Sequence, residues 1–300
     1  MSFKRFTNYA MRNFDIIDKV YPTNELQEKY YNHFMKKYSK IFKTDDISVK
    51  IEWNIRLHKT LKEIFTSSSF LSEAKYLKER NCFTSYYFLM YYSLFHSILA
   101  LLYLDPNLDL DKLIDISHSK LIKYFENTYC KENCLVSRDI PEYFKILKEL
   151  RELYSYSMPM TDIPLNYLFN GKKPVELLEH ILSNNFQVAN FHSIMIENSY
   201  IKNFNSKNCD FTKYIGDIYT KFNQVNCKKN PLNPGEFLIS DADKNVRSEM
   251  IMHGPSIYFL GLDLEHFYDE YKTYNTHLYN YDGDHIDNSD AFNLIYNSLC

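Results

Sequence analysis

From Tyr86 to Leu104 the chain runs for nineteen residues without a formal charge (YYFLMYYSLFHSILALLYL). A helix of that length either crosses a bilayer or is wrapped by other helices on nearly every side. Ser93, His96 and Ser97 lie near its middle, and the run carries several tyrosines whose hydroxyls would have no partner in lipid. The expectation is therefore a buried helix at the centre of a helical bundle, in a cytoplasmic protein that does not enter the membrane.

The rest of the sequence fits that frame. Segments with apolar residues at three- and four-residue spacing cover Asn8 to Phe42, Lys50 to Phe65, Ile140 to Tyr154, Pro174 to Phe204, Phe211 to Phe222 and Phe237 to Met252, while period-two alternation is almost missing. The fold class expected is mainly α, one or more helical bundles. Thr66-Ser-Ser-Ser69 reads as a break, with a new helix starting at Phe70 and running through the uncharged stretch. Ser117 or Ser119 is expected to cap a short helix, Pro141 to open the next, and Gly254-Pro255 to stop the unit before it. Gly171-Lys172-Lys173-Pro174 marks a boundary, giving units over 1–165 and 166–300; periodicity leaves open whether these are two bundles or one continuous fold.

Composition excludes more than it assigns. With Gly 6 and Pro 9 the chain has neither G-x-x-x-x-G-K-[ST] nor G-x-G-x-x-G, so phosphate-cradling loops are out. A net charge of −3 gives no global basic field, so contact with nucleic acid has to come from a local site. The six cysteines (Cys82, Cys130, Cys134, Cys209, Cys227, Cys300) show no C-x-x-C, and residues 1–30 alternate charge with aromatics instead of forming a signal sequence. Reduced thiols, no cofactor and no metal are expected. Cys130 with Cys134 lacks a second ligand pair. The acidic run Asp282-Gly-Asp284-His285-Ile-Asp287 offers hard ligands but an incomplete calcium-loop spacing, so a solvated loop is the expectation.

Two arginine constellations carry the chemistry. In the first, the order Tyr86-Tyr87, Phe95-His96, His118-Ser119, then Arg151 with Tyr156 resembles the HEPN superfamily (higher eukaryotes and prokaryotes nucleotide-binding), whose members are four-helix bundles. Ser155 stands where that branch carries Asp, and Tyr156 where ribonuclease members carry His, so the resemblance implies a supporting or pseudo-active copy. In the second, Asn245-Val-Arg247-Ser248-Glu-Met-Ile-Met-His253-Gly254 resembles the Arg-x4-6-His signature of HEPN ribonucleases. That resemblance implies a metal-independent endoribonuclease, a toxin or antiviral effector, with Arg247, Ser248 and His253 catalytic. It implies RNA as partner, a homodimer that pairs two half-sites, and an antitoxin or regulatory protein as a further partner. The chemistry suits the residues: RNA supplies its own 2′-hydroxyl nucleophile, imidazole exchanges protons near neutrality, and guanidinium binds two phosphate oxygens. In a continuous helix six positions turn by about 240°, so Arg247 and His253 start on different flanks. A non-catalytic RNA- or nucleotide-binding HEPN module, or an antitoxin, is the alternative.

Overall fold

The computed structural model describes all residues except 1, 10–11, 45, 132–133, 160, 164–170, 172, 204–209 and 265–288. Ten helices are used below: α1 Asp15–Val20, α2 Asn24–Phe42, α3 Ile47–Glu79, α4 Phe83–Tyr103, α5 His118–Tyr129, α6 Ile140–Tyr156, α7 Pro174–Asn203, α8 Ile215–Asn226, α9 Asp241–His253 and α10 Ser289–Leu299. Among the described residues the strands are two antiparallel dipeptides, Lys228–Lys229 and Phe237–Leu238. The chain is mainly α.

The uncharged stretch is α4, packed against α3, α5, α6 and α7. By length and composition it could cross a membrane, yet 72% of its most apolar window is buried inside the molecule. Its carbonyl end is satisfied by side chains of other helices: Tyr129 donates to Leu101 O at 2.8 Å, Arg56 to Tyr103 O at 3.2 Å and Tyr38 to Leu104 O at 2.7 Å. These bonds supplement the backbone closure by Leu104 N–H and Asp105 N–H at this buried helix end.

The expected break at Thr66 to Ser69 is absent, because α3 runs unbroken from Ile47 to Glu79. Serine disfavours helix interiors when its hydroxyl competes with the ladder, but here the hydroxyls bond outward. Ser67 donates to Ser93 O at 2.8 Å and Ser93 returns a bond to Ser67 O at 2.7 Å, while Ser68 donates to Ala291 O of α10. The real break comes later, at Arg80–Cys82. Asn81 takes φ 57°, Cys82 N–H donates to Leu77 O and Asn81 N–H to Lys78 O, a paired closure in which asparagine replaces the usual glycine. The long first periodic segment also splits, into α1 and α2 on either side of Pro22. Ser117 occupies the cap position of α5 without a side-chain bond to the helix's backbone N–H groups, and Pro141 opens α6 as expected.

α7 belongs to the second unit expected from sequence, yet it packs on α1, α2, α3 and α4. One buried cluster runs from Phe3 to Leu299. Of the buried polar side chains beside it, Gln187 accepts from Ile16 N–H and Ile17 N–H, and Asn190 donates to Leu299 O. His192, fully buried, sits between Tyr30 and Tyr38 at 2.7 Å from each hydroxyl.

Candidate functional site

Three separated segments meet at Tyr91 and Tyr92 of α4. His118 opens α5 and Arg151 lies toward the end of α6, both helices packing on α4. The His118 ring lies almost parallel to Tyr91, with centroids 5.5 Å apart and 11° between planes, and the Tyr91 hydroxyl bonds His118 Nδ1. The Arg151 guanidinium carbon stands 4.8 Å from the centre of the same Tyr91 ring. Arg151 also donates to the Tyr92 hydroxyl at 3.4 Å and to Glu152 at 3.2 Å. Stacking on two aromatic faces fixes the plane of the guanidinium. Burial lowers the His118 pKa, and the nearby Arg151 and Lys148 charges lower it further, so the imidazole is neutral at pH 7.

Tyr92 extends the cluster to a second imidazole, its ring lying 6.1 Å from His118 and 6.4 Å from His96. His96 Nδ1 bonds Glu63 Oε2 of α3, and Lys59 reaches the other carboxylate oxygen at 2.8 Å. Burial alone would raise the Glu63 pKa, but the His96 hydrogen bond and the Lys59 charge outweigh it and hold the acid ionised. Ionised Glu63 can only accept, so Nδ1 of His96 carries the hydrogen of that bond. Arg151 and His96 keep 18% and 22% of their side-chain surface, which leaves both within reach of a ligand.

The second constellation is dispersed within the chain. Arg247 lies over the Tyr219 ring at 4.4 Å and donates to Asn223 Oδ1 at 3.2 Å, both on α8. His253 is the last residue of α9, and the turn comes one position later, at Gly254 with φ +79°. That position needs glycine, since a Cβ there would overlap the ring of Phe211. The helix is therefore continuous across the pair, which separates Arg247 from His253 by about 9 Å along the axis and about 120° around it. Asn245, Ser248 and His253 are exposed on α9. The helix is held to α3 by Asp243, a buried carboxylate bonded by Lys62 at 2.7 Å, by His58 at 3.1 Å and by Ser240 at 2.9 Å.

The remaining sequence-derived residues fall as follows. Tyr156 ends α6 at 84% exposed, five positions beyond Arg151 and about 140° around the helix from it. Tyr87 is structural, donating to Asp162 at 2.8 Å and stacking on Tyr154. Cys130 and Cys134 are free thiols, and burial pushes the Cys130 thiol up to about 12. Asp282, Asp284, His285 and Asp287 lie outside the described residues, as does Met160. Glu63, Tyr91 and Tyr92 were not singled out by sequence; the four-residue spacing of Tyr92 and His96 was the available signal. Comparison of the chain with protein-family models, with characterised proteins and with solved structures gives no match.

Proposed function

We propose that this protein is a metal-independent endoribonuclease whose reacting groups are Arg151 and His118, assisted by His96. The single observation that carries the reading is the convergence of one guanidinium and a neutral imidazole on the same tyrosine ring. In the His118 tautomer whose Nδ1–H donates to the Tyr91 oxygen, the Nε2 lone pair is free to take the proton of an RNA 2′-hydroxyl. The Arg151 fork neutralises charge building on the phosphoryl oxygens. His96, its Nδ1–H held by Glu63, acts from its doubly protonated form and gives the Nε2 proton to the departing 5′-oxygen, and exchange with solvent restores both imidazoles. No step needs a metal. The resemblance to HEPN proteins rests here on the first constellation rather than on Arg247 and His253, which within one chain cannot address a single phosphate. Across a homodimer they could, and that is the second reading, favoured by the exposure of His253 and Ser248 on α9. Toxicity in the cytoplasm, with a neutralising partner protein, is the biological setting either reading fits.

The test is cleavage of single-stranded RNA in EDTA. His118→Ala is expected to lower kcat/KM about 10²-fold, with Arg247→Ala leaving it within a factor of two. The reverse ranking transfers catalysis to α9, and no cleavage by the unaltered chain favours the non-catalytic binding module. The acidic limb of the rate profile has a signature of its own. Since His118 is held below its ordinary value, the base form persists as pH falls, and the limb lies below about 6.5. Arg151→Ala removes one of the charges that depress it, so the His118 midpoint followed by NMR should move upward. A midpoint that stays put, or falls, shows that Arg151 does not govern this imidazole.

A further inference from the structure

A cavity of about 270 Å³ opens between α2 and the far end of α5. Lys29, His33 and Lys37 line it from α2, Lys131 from just past α5, and Asn107, Asn127 and Thr128 add polar groups. Tyr30 and Phe34 form an aromatic floor, both almost fully buried. No carboxylate lines it among the described residues. Glu28, next to Lys29, faces Arg5 at 3.5 Å, and Asp105, behind the rim, is fully buried and accepts from Asn107 N–H, Asn107 Nδ2 and the Thr128 hydroxyl. Asp105 therefore holds the polar rim in place and sets one carboxylate against the three lysines, which form no ion pair among the described residues.

The lysines are more than the local backbone requires. Two helices end here, α4 at Tyr103 and α5 at Tyr129, and each carbonyl end carries about half a negative charge. Three ammonium groups exceed those two ends and the Asp105 carboxylate together by about one positive charge, and the carbonyls ending α4 are already bonded by Tyr129, Arg56 and Tyr38. The cavity also lies on a path from the catalytic cluster. His118 begins α5 and Asn127 lines the cavity nine residues later, about 14 Å along the same helix. Lys120, Lys123 and Asn127, at three- and four-residue spacing, are exposed between the two; Glu126 is the single carboxylate of that helix.

We infer that this cavity is a phosphate subsite for the RNA strand, taking a backbone phosphate about four stacked nucleotides from the scissile linkage at about 3.4 Å each. The inference rests on the endoribonuclease reading for the position of that linkage, and on charge and geometry of the cavity for the phosphate. Binding and not catalysis is its consequence.

The experiment uses the full chain and a fluorescent 2′-O-methyl dodecanucleotide, which presents phosphates but no nucleophile. Log affinity against log salt is compared with that of Lys29→Gln/Lys37→Gln/Lys131→Gln, its fold checked by circular dichroism. Loss of three phosphate contacts lowers the slope by about 2, at about 0.7 per contact to a single strand. Inorganic pyrophosphate is expected to compete with the strand for the unaltered chain. An unchanged slope overturns the subsite. So does pyrophosphate that binds at the lysines without displacing RNA, which would mark a site for a free small phosphate. A lowered slope from a chain that never cuts unmodified RNA upholds the subsite and removes the catalytic reading, so the two failures are separable.

Discussion

His192→Ala lowers the free energy of unfolding by about 4–5 kcal/mol, on the scale of large buried truncations that also strand polar partners. The bonding pattern leaves little freedom around this ring. Tyr38 has one hydrogen and gives it to Leu104 O, so its hydroxyl must accept from His192 Nδ1, and His192 Nε2 must in turn accept from Tyr30. Removing the imidazole leaves a cavity and two hydroxyls without their partner in the centre of the molecule. Burial, with the Lys37 charge beyond it, pulls the His192 pKa down to about 3. The unfolded chain therefore binds a proton below pH 6.5 that the folded chain refuses. The stability from this residue is complete above that pH and declines by about 1.4 kcal/mol per unit toward pH 3. Urea unfolding at pH 7 and pH 5 measures both effects: the variant is weaker at pH 7 and loses less on acidification. A drop under 1 kcal/mol at pH 7 would mean that Tyr30 and Tyr38 find other partners.

Asp243→Ala is expected to release α9. Its carboxylate is 4% exposed and serves Lys62, His58 and Ser240, whose hydroxyl also caps the helix through Asp243 N–H. Burial alone would raise this acid, but the hydrogen bonds and charges of His58 and Lys62 win and hold it well below the usual carboxylate range. Removing it leaves one cation and one imidazole facing an empty space. Breaking a buried pair costs about 3–5 kcal/mol, and Lys62 at 24% exposed recovers enough hydration to favour the lower figure. Because the folded-state pKa is depressed, the contribution is present above about pH 4 and fades as pH falls further. Hydrogen exchange is the sharper readout: amides from Asp241 to His253 should speed up while those of α4 stay protected. Uniform acceleration would instead make Asp243 a determinant of global stability.

The architecture was legible wherever apolar spacing decides it, which is why α4, α6, α7 and the stop at Gly254 follow from the sequence. Local chemistry misled at Thr66 to Ser69, since whether a serine breaks a helix depends on which carbonyls lie opposite, and those came from α4 and α10. The turn at Asn81 carries neither Gly nor Pro and gave no punctuation to read. Of the candidate site, Arg151, His118 and His96 were all picked out by sequence, but not their shared anchor. Tyr91 is one of many tyrosines in an uncharged run, and Glu63 is one acid among the lysines of α3; only tertiary register distinguishes either.

That register has a cause inside the molecule. Ser67 and Ser93 exchange bonds across α3 and α4, Thr60 donates to Ala100 O seven positions earlier in α3 and seven later in α4, and Arg56 reaches Tyr103 O beyond that. Glu63 and His96 fall between the first two rungs. Sliding one helix past the other by a single turn, about 5.4 Å, would break every rung together and carry the acid away from its imidazole. The hairpin thus has one threading, and the Glu63–His96 pair is specified by buried hydroxyls that touch neither of its members.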